Sequence, residues 1–450
     1  MKRTRLSLLA LLGCCCVLAA CAAPVPTPAP PLLPALSTEE PTPLPHPRTP
    51  VTIIFWHSEL ENTPRGRLIA EFAHRFAQDC PWVTVVPVYA GRLDELGRKA
   101  RVAVRAGAPP DLAALRESDI ASLMQQGALT TLDAYLADDE LGIPPQDQTD
   151  FYPGAWQSIR YPEFGNHVLA LPYAKSAVGL YYNRTLLQAC GIEEPPATWE
   201  AFERACLATR TLDARGYACI ERATTFEAWL QSRGGSLLTP ELDAAAFGAA
   251  PGHDSLDLLL RLLDMGRAYR PEGEGGDLAA FVAGEVVFTM DLTSALPFYV
   301  EALQGNDTLQ WGCTLVPQQD PSRGGTVLVG PAFCVFASDE ARQQAAWRFA
   351  KWFNEPPQAT EWAATGGSLP LRRSVLAQLA ENGWREQNAQ AAEAFEAIAP
   401  RAWPEPRLGV LPELHRILEA AWLSAAAGVR EPQQALDEAA GRANQVLIGR

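Results

Sequence analysis

Lys175 and Ser176 stand in the apolar, aromatic run YAKSAVGLYYN (173–183). An ammonium group near the centre of a plain buried strand is costly unless it is paired. The run therefore reads either as a strand with an awkward charge or as a surface that meets something. Elsewhere the residue types that do chemistry are present without the spacing that chemistry needs. There is no G-x-S-x-G elbow, no H-E-x-x-H helix and no Walker phosphate loop. The glycine cluster EGEGGD (272–277) lacks both a preceding strand and phosphate-loop spacing and reads as a loop. The six histidines are scattered and no C-x-x-C pair occurs, so neither a metal site nor a cofactor is implied. Fifty-two acidic residues leave a glycosidase-type carboxylate pair open, but nothing marks one. A well-formed chain without a catalytic signature points to binding rather than turnover.

The elements that would position such a site alternate from Val51 onward. VTIIFWH (51–57) is a β-branched strand, and Leu68, Ile69, Phe72 and Phe76 follow at helical spacing. VTVVPVY (83–89), a helix over 93–106 and the short strand DLAAL (111–115) complete a strand–helix–strand–helix–strand unit. That order implies a parallel sheet with right-handed crossovers, in which ligands bind beyond the carboxyl ends of the strands. Further strands are expected at HVLALPY, AVGLYYN, GYACIER, EVVFTM, LQWGCTLV and TVLVGPAFCVF, and the chain from Asp339 onward reads as nearly all helical.

The 450 residues exceed one ordinary core, so two domains are expected. A hydrophobic content of 48% with 20% charged residues fits a globular protein with a sizeable core, and the net charge of −15 argues against nucleic acid and anionic lipid as partners. At the N-terminus, MKRTR and the short apolar stretch after it read as an export signal. It ends in Leu18-Ala19-Ala20-Cys21, which resembles the bacterial lipobox, with Cys21 lipidated and residues 1–20 removed. Residues 21–50 are too rich in proline for a packed core and read as a stalk. Cys206 and Cys219 fit either a disulfide or two buried free thiols.

Several stretches, in order, resemble the extracellular solute-binding proteins of ABC importers, family 1. They are FWHS (55–58), AGAPPDL, GALTTLDAYL (127–136), ALPYAKSAVGLYYNRTLLQACGI (170–192), PPATWEAF (195–202), FVAGEVVFTM (281–290) and EWAATGGSLPLRRSVL (361–376). Within the family, FWHSELE, RLGVLPELHRILEAAW and PQQALDEAAGRANQVL are most similar to the glycerol-3-phosphate-binding subgroup. The resemblance implies an α/β, two-lobe periplasmic-binding-protein fold of type II, its discontinuous lobes joined by hinge strands. Lobe 1 is then expected over 51–171 plus 293–343 and lobe 2 over 172–292 plus 344–450. It implies no catalysis. The chain would capture a small polar solute, a polyol phosphate or a sugar, as a monomer anchored by lipid to the outer face of the cytoplasmic membrane or in the periplasm. It would deliver that solute to ABC permease subunits. A lipid-anchored carbohydrate-active enzyme and a sensory binding lipoprotein are the alternatives.

Carried over by position, the resemblance implies ligand roles for Glu117, Ser176, Thr293, Ser294 and Gly330, with Arg407 holding a phosphate. Two tyrosines of the subgroup are missing. GRLDEL offers only Leu93 at one position, and the other is the turn Gly366-Gly367-Ser368-Leu369-Pro370. Arg92, Ser368 and Lys175 could compensate: the resemblance implies that the chain crosses between lobes in the first half of YAKSAVGLYYN, so that Tyr173, Lys175 and Ser176 face the cleft and its water while Val178 to Tyr182 remain buried strand. Trp56, His57, Tyr173, Trp229 and Trp311 lie where a cleft could use them, with core packing as the ordinary role of the large aromatics.

Overall fold

A computed structural model describes residues 48–220, 222–273, 275–306 and 308–450. The expected signal peptide, Cys21 and residues 21–47 of the stalk lie outside the described residues.

The first strands form as their alternation requires. β1 (Val51–His57) buries every second side chain and pairs in parallel with β2 (Val83–Tyr89) and β3 (Leu112–Leu115). The connecting helix Pro64–Asp79 starts where the Thr63 side chain accepts from Gly66 N and Pro64 fixes the first turn. Its Phe72 and Phe76 pack edge-on against Phe353 and Phe349 of the helix Glu340–Phe353. A small hairpin of β4 (Arg160–Tyr161) and β5 (His167–Val168) follows, and then β6 (Leu171–Pro172) and β7 (Ser176–Asn183).

β7 is buried along its whole length, which explains its uninterrupted apolar sequence. It forms the middle of a second sheet with β8 (Arg215–Ala218), β9 (Ala268–Tyr269), β10 (Val286–Leu292), β11 (Trp311–Leu315), β12 (Thr326–Val329) and, after β13 (Ala332–Val335), β14 (Ala402–Pro404). The first sheet runs β2-β1-β3-β13-β6 and the second β14-β12-β7-β10-β8-β9, with β11 also on β7. Each sheet is covered by its own hydrophobic clusters, giving two lobes.

The division differs from the expected boundaries. TVLVGPAFCVF is two strands rather than one, broken at Gly330-Pro331: β12 belongs to the second sheet and β13 to the first. β11, assigned by sequence to lobe 1, also pairs with β7. The helix Glu340–Phe353, mostly assigned to lobe 2, packs on the first sheet through Trp347, Phe349 and Phe353. Apolar content does not reveal which sheet a strand joins; the chirality-permissive glycine between β12 and β13 does.

Candidate functional site

Glu117 opens the helix that follows β3, at the carboxyl end of a central strand, where the helix dipole favours a carboxylate. The Lys175 ammonium meets it: Nζ lies 2.6 Å from Glu117 Oε1 and donates to the Gly330 carbonyl at 2.9 Å. Lys175 is fully buried and Glu117 nearly so, with Glu117 Oε2 lacking a hydrogen-bond partner. The expectation that Lys175 faces cleft water is therefore corrected. Its charge is spent on Glu117, which also explains how an ammonium sits in an apolar run.

Around this pair the chain crosses between lobes three times. Ala174 N donates to Pro331 O at 3.3 Å, and the Lys175 carbonyl accepts from Leu369 N at 2.8 Å and from Ser368 Oγ at 3.3 Å. Gly330 has φ +120°, and a Cβ there would fall 2.3 Å from the Ala174 carbonyl oxygen. In this structure the glycine serves the packing of two crossing segments. Ser176 Oγ and Thr293 Oγ1 are 3.0 Å apart; Ser176 Oγ accepts from Ser294 N at 2.9 Å and Thr293 Oγ1 from Ala177 N at 3.2 Å. Three residues expected at a ligand thus bond to one another and tie β7 to the turn after β10.

The aromatic candidates divide similarly. Tyr173 is buried among Phe333, Phe353 and Trp362, with centroids 4.9–5.5 Å away. Trp229 is a core residue whose indole N–H points at Met290 Sδ, and Trp311 lies in a core cluster with Tyr181 and Tyr299. Trp56 is half-buried against the first-lobe cluster that contains Leu96 and Leu115. His57 is buried, accepts from Glu59 N through Nδ1 at 3.3 Å, and has its pKa lowered by burial to about 4, so its imidazole is neutral at pH 7. Arg92 is exposed and pairs with Asp94 at 3.4 Å.

A cavity of about 280 Å³ lies between Gln157 and Pro162, beside the first-lobe hairpin, and second-lobe residues that include Glu227, Gln231, Glu405 and Arg407. Arg407 is held flat by main-chain oxygens: Nε donates to Arg160 O at 2.6 Å and Nη1 to Glu405 O at 3.4 Å, with the guanidinium carbon 6.0 Å from the Tyr161 ring centre. Among the described residues no carboxylate pairs with it, and Nη2 has no partner. Glu227, on the helix Ala223–Ser232, lies 2.5 Å from His415 Nε2, on the helix Leu411–Ala426. Glu405 Oε2 is 4.0 Å from the same nitrogen. Burial opposes protonation of His415, but the Glu227 carboxylate overrides it and raises the pKa to about 9; burial raises Glu405 to about 8. A wider groove of about 660 Å³ runs along the helices Trp384–Gln387 and Ala389–Ile398, but it lies on one lobe only and its Arg385 is paired with Glu396.

The sequence of residues 71–397 matches the family described as bacterial extracellular solute-binding proteins. The chain belongs to that family. Among curated relatives, this solute-binding protein is 25% identical to the sn-glycerol-3-phosphate-binding periplasmic proteins of Salmonella typhimurium, over 419 residues, and of Escherichia coli K12, over 428 residues. Each alignment covers 88% of this chain and 92% of the relative. Its fold is shared with the cyclic alpha-maltosyl-1,6-maltose binding protein of Arthrobacter globiformis (TM-score 0.77, 22% identity, 89% of this chain and all of that one). It is shared as well with UgpB of Mycobacterium tuberculosis, solved with glycerophosphocholine (TM-score 0.74, 20% identity, 89% and 99%). These neighbours establish the two-lobe α/β architecture, and the family match makes the chain an extracellular solute-binding protein.

In this solute-binding protein the structure brings only one of the residues expected at the ligand, Arg407, to the interlobe cavity wall. Glu227, Glu405 and His415 escaped the sequence reading. Glu227 and His415 are 188 positions apart, in TTFEAWL and PELHRIL, and nothing in either stretch departs from an ordinary amphipathic helix.

Proposed function

We propose that the protein captures a small phosphate-bearing polyol, glycerol 3-phosphate or a glycerophosphodiester, between its lobes and hands it to a membrane permease. The observation that carries this reading is Arg407. Its guanidinium is fixed by two carbonyls, has no carboxylate partner among the described residues, and belongs to a residue that lines the cavity. An uncompensated planar cation favours an anion such as phosphate. The likeness to glycerol-3-phosphate-binding proteins points the same way. Closure is favoured because only the closed form places both lobes against the solute.

Calorimetric titration of the purified protein with glycerol 3-phosphate, glycerophosphocholine and maltotriose tests the reading. One of the two phosphate compounds should bind, and Arg407→Ala should weaken it more than tenfold. Binding of maltotriose alone, or phosphate binding untouched by the substitution, would overturn it. Export and tethering belong to the same proposal: Cys21 is the lipidated residue, so Cys21→Ser should move the protein from the membrane fraction to the soluble one.

A further inference from the structure

Glu405 has a carboxyl group that no hydrogen-bond donor among the described residues reaches, although it is largely removed from water and lies beside the Glu227 carboxylate. The donor atoms of Glu227, Glu405 and His415 all lie within 4.8 Å of one another. Among the described residues the His415 ring stands between the two carboxyl groups, 2.5 Å from Glu227 and 4.0 Å from Glu405. They come from three separate places in the chain: a helix of the second lobe, the segment after β14 and the long helix 411–426. Convergence of this kind is not a solvated acidic face.

We propose that Glu227, Glu405 and His415 form a binding site for a divalent transition-metal ion, zinc being the natural probe, on the wall of the interlobe cavity. One imidazole and two carboxylates are a donor set suited to zinc or manganese. Metal–donor distances of about 2.0–2.2 Å put donors of a tetrahedral site roughly 3.3 Å apart. The observed spread of 2.5 Å to at most 4.8 Å brackets that value, so small rotations of the two glutamates complete the set. Both glutamates line the cavity, which leaves a fourth position open to water or to a solute oxygen. Gln231, one turn after Glu227 on the same helix and on the same cavity wall, has a buried amide oxygen with no partner.

Metal-stripped full-length protein is titrated with zinc chloride by calorimetry, with bound metal counted by elemental analysis after desalting. One equivalent should bind, and Glu405→Gln and His415→Ala should each weaken binding at least tenfold. Glu405→Gln preserves volume and is the variant least exposed to misfolding; circular dichroism checks both. Arg407→Ala, which removes the solute's anchor, should still take up one equivalent, so failure of the solute reading and failure of the metal site are separate outcomes. No zinc uptake by the parent, or uptake unchanged in a folded Glu405→Gln, would overturn the assignment.

Discussion

The Lys175 ammonium and the Glu117 carboxylate meet at 2.6 Å, with neither side chain reaching solvent. Breaking a buried pair by removing one partner leaves the other charge uncompensated, typically at a cost of about 3–5 kcal/mol. Lys175→Met should therefore lower unfolding stability by about that much in urea titrations. The double variant Lys175→Met/Glu117→Gln should recover most of the loss. If the double variant is no more stable than the single one, the pair is not what holds this junction.

Gly330 carries a positive φ and has no room for a side chain beside Ala174. Gly330→Ala should destabilise the protein by about 1–3 kcal/mol or more, because strain and the carbonyl clash act together. A thermal melt reads this directly. An unchanged melting temperature would mean that the crossing segments have room to give way.

Ser176 spends its hydroxyl on Thr293 and on Ser294 N. Ser176→Ala is expected to cost about 1–2 kcal/mol of stability from the lost hydrogen bonds. Solute affinity should change less than about threefold, or under 1 kcal/mol. A loss of affinity as large as that expected of Arg407→Ala would place Ser176 at the solute after all.

His57 gives a pH dependence with a definite sign. Its folded pKa, about 4, lies below the ordinary value of 6.5, so the unfolded chain takes up this proton first as pH falls. The stabilisation is complete above pH 6.5 and declines through about pH 4, by at most about 3 kcal/mol. His57→Gln should shrink the difference in urea midpoint between pH 7.5 and pH 4.5. An unchanged difference would show that the imidazole is not shielded.

The parallel unit of β1, β2 and β3 was legible because alternation, helical spacing and chain order agree there. The lobe boundaries were less so. β12 and β13 carry the same apolar signal, and only Gly330-Pro331 marks the break between sheets. At the site, local sequence identified polar residues in unusual places, Lys175 and Ser176 among them, but not their partners. Partnership depends on pairs 58 positions apart for Lys175–Glu117 and 117 apart for Ser176–Thr293, and a linear pattern carries no trace of either distance. Arg407 was reached through resemblance, and the Glu227–His415 contact through neither route.

The knot of crossings at Lys175 sets the mechanics of capture. Ala174, Lys175, Pro331 and Leu369 are joined by main-chain hydrogen bonds at one point, with the Lys175 ammonium fastened to Gly330 as well. Three ribbons riveted at a single pin can pivot about it but cannot slide past one another without breaking those bonds. Closure of the lobes on a solute would then be a clap rather than a shear, with neither sheet changing register and most of the travel at the far rim of the jaws.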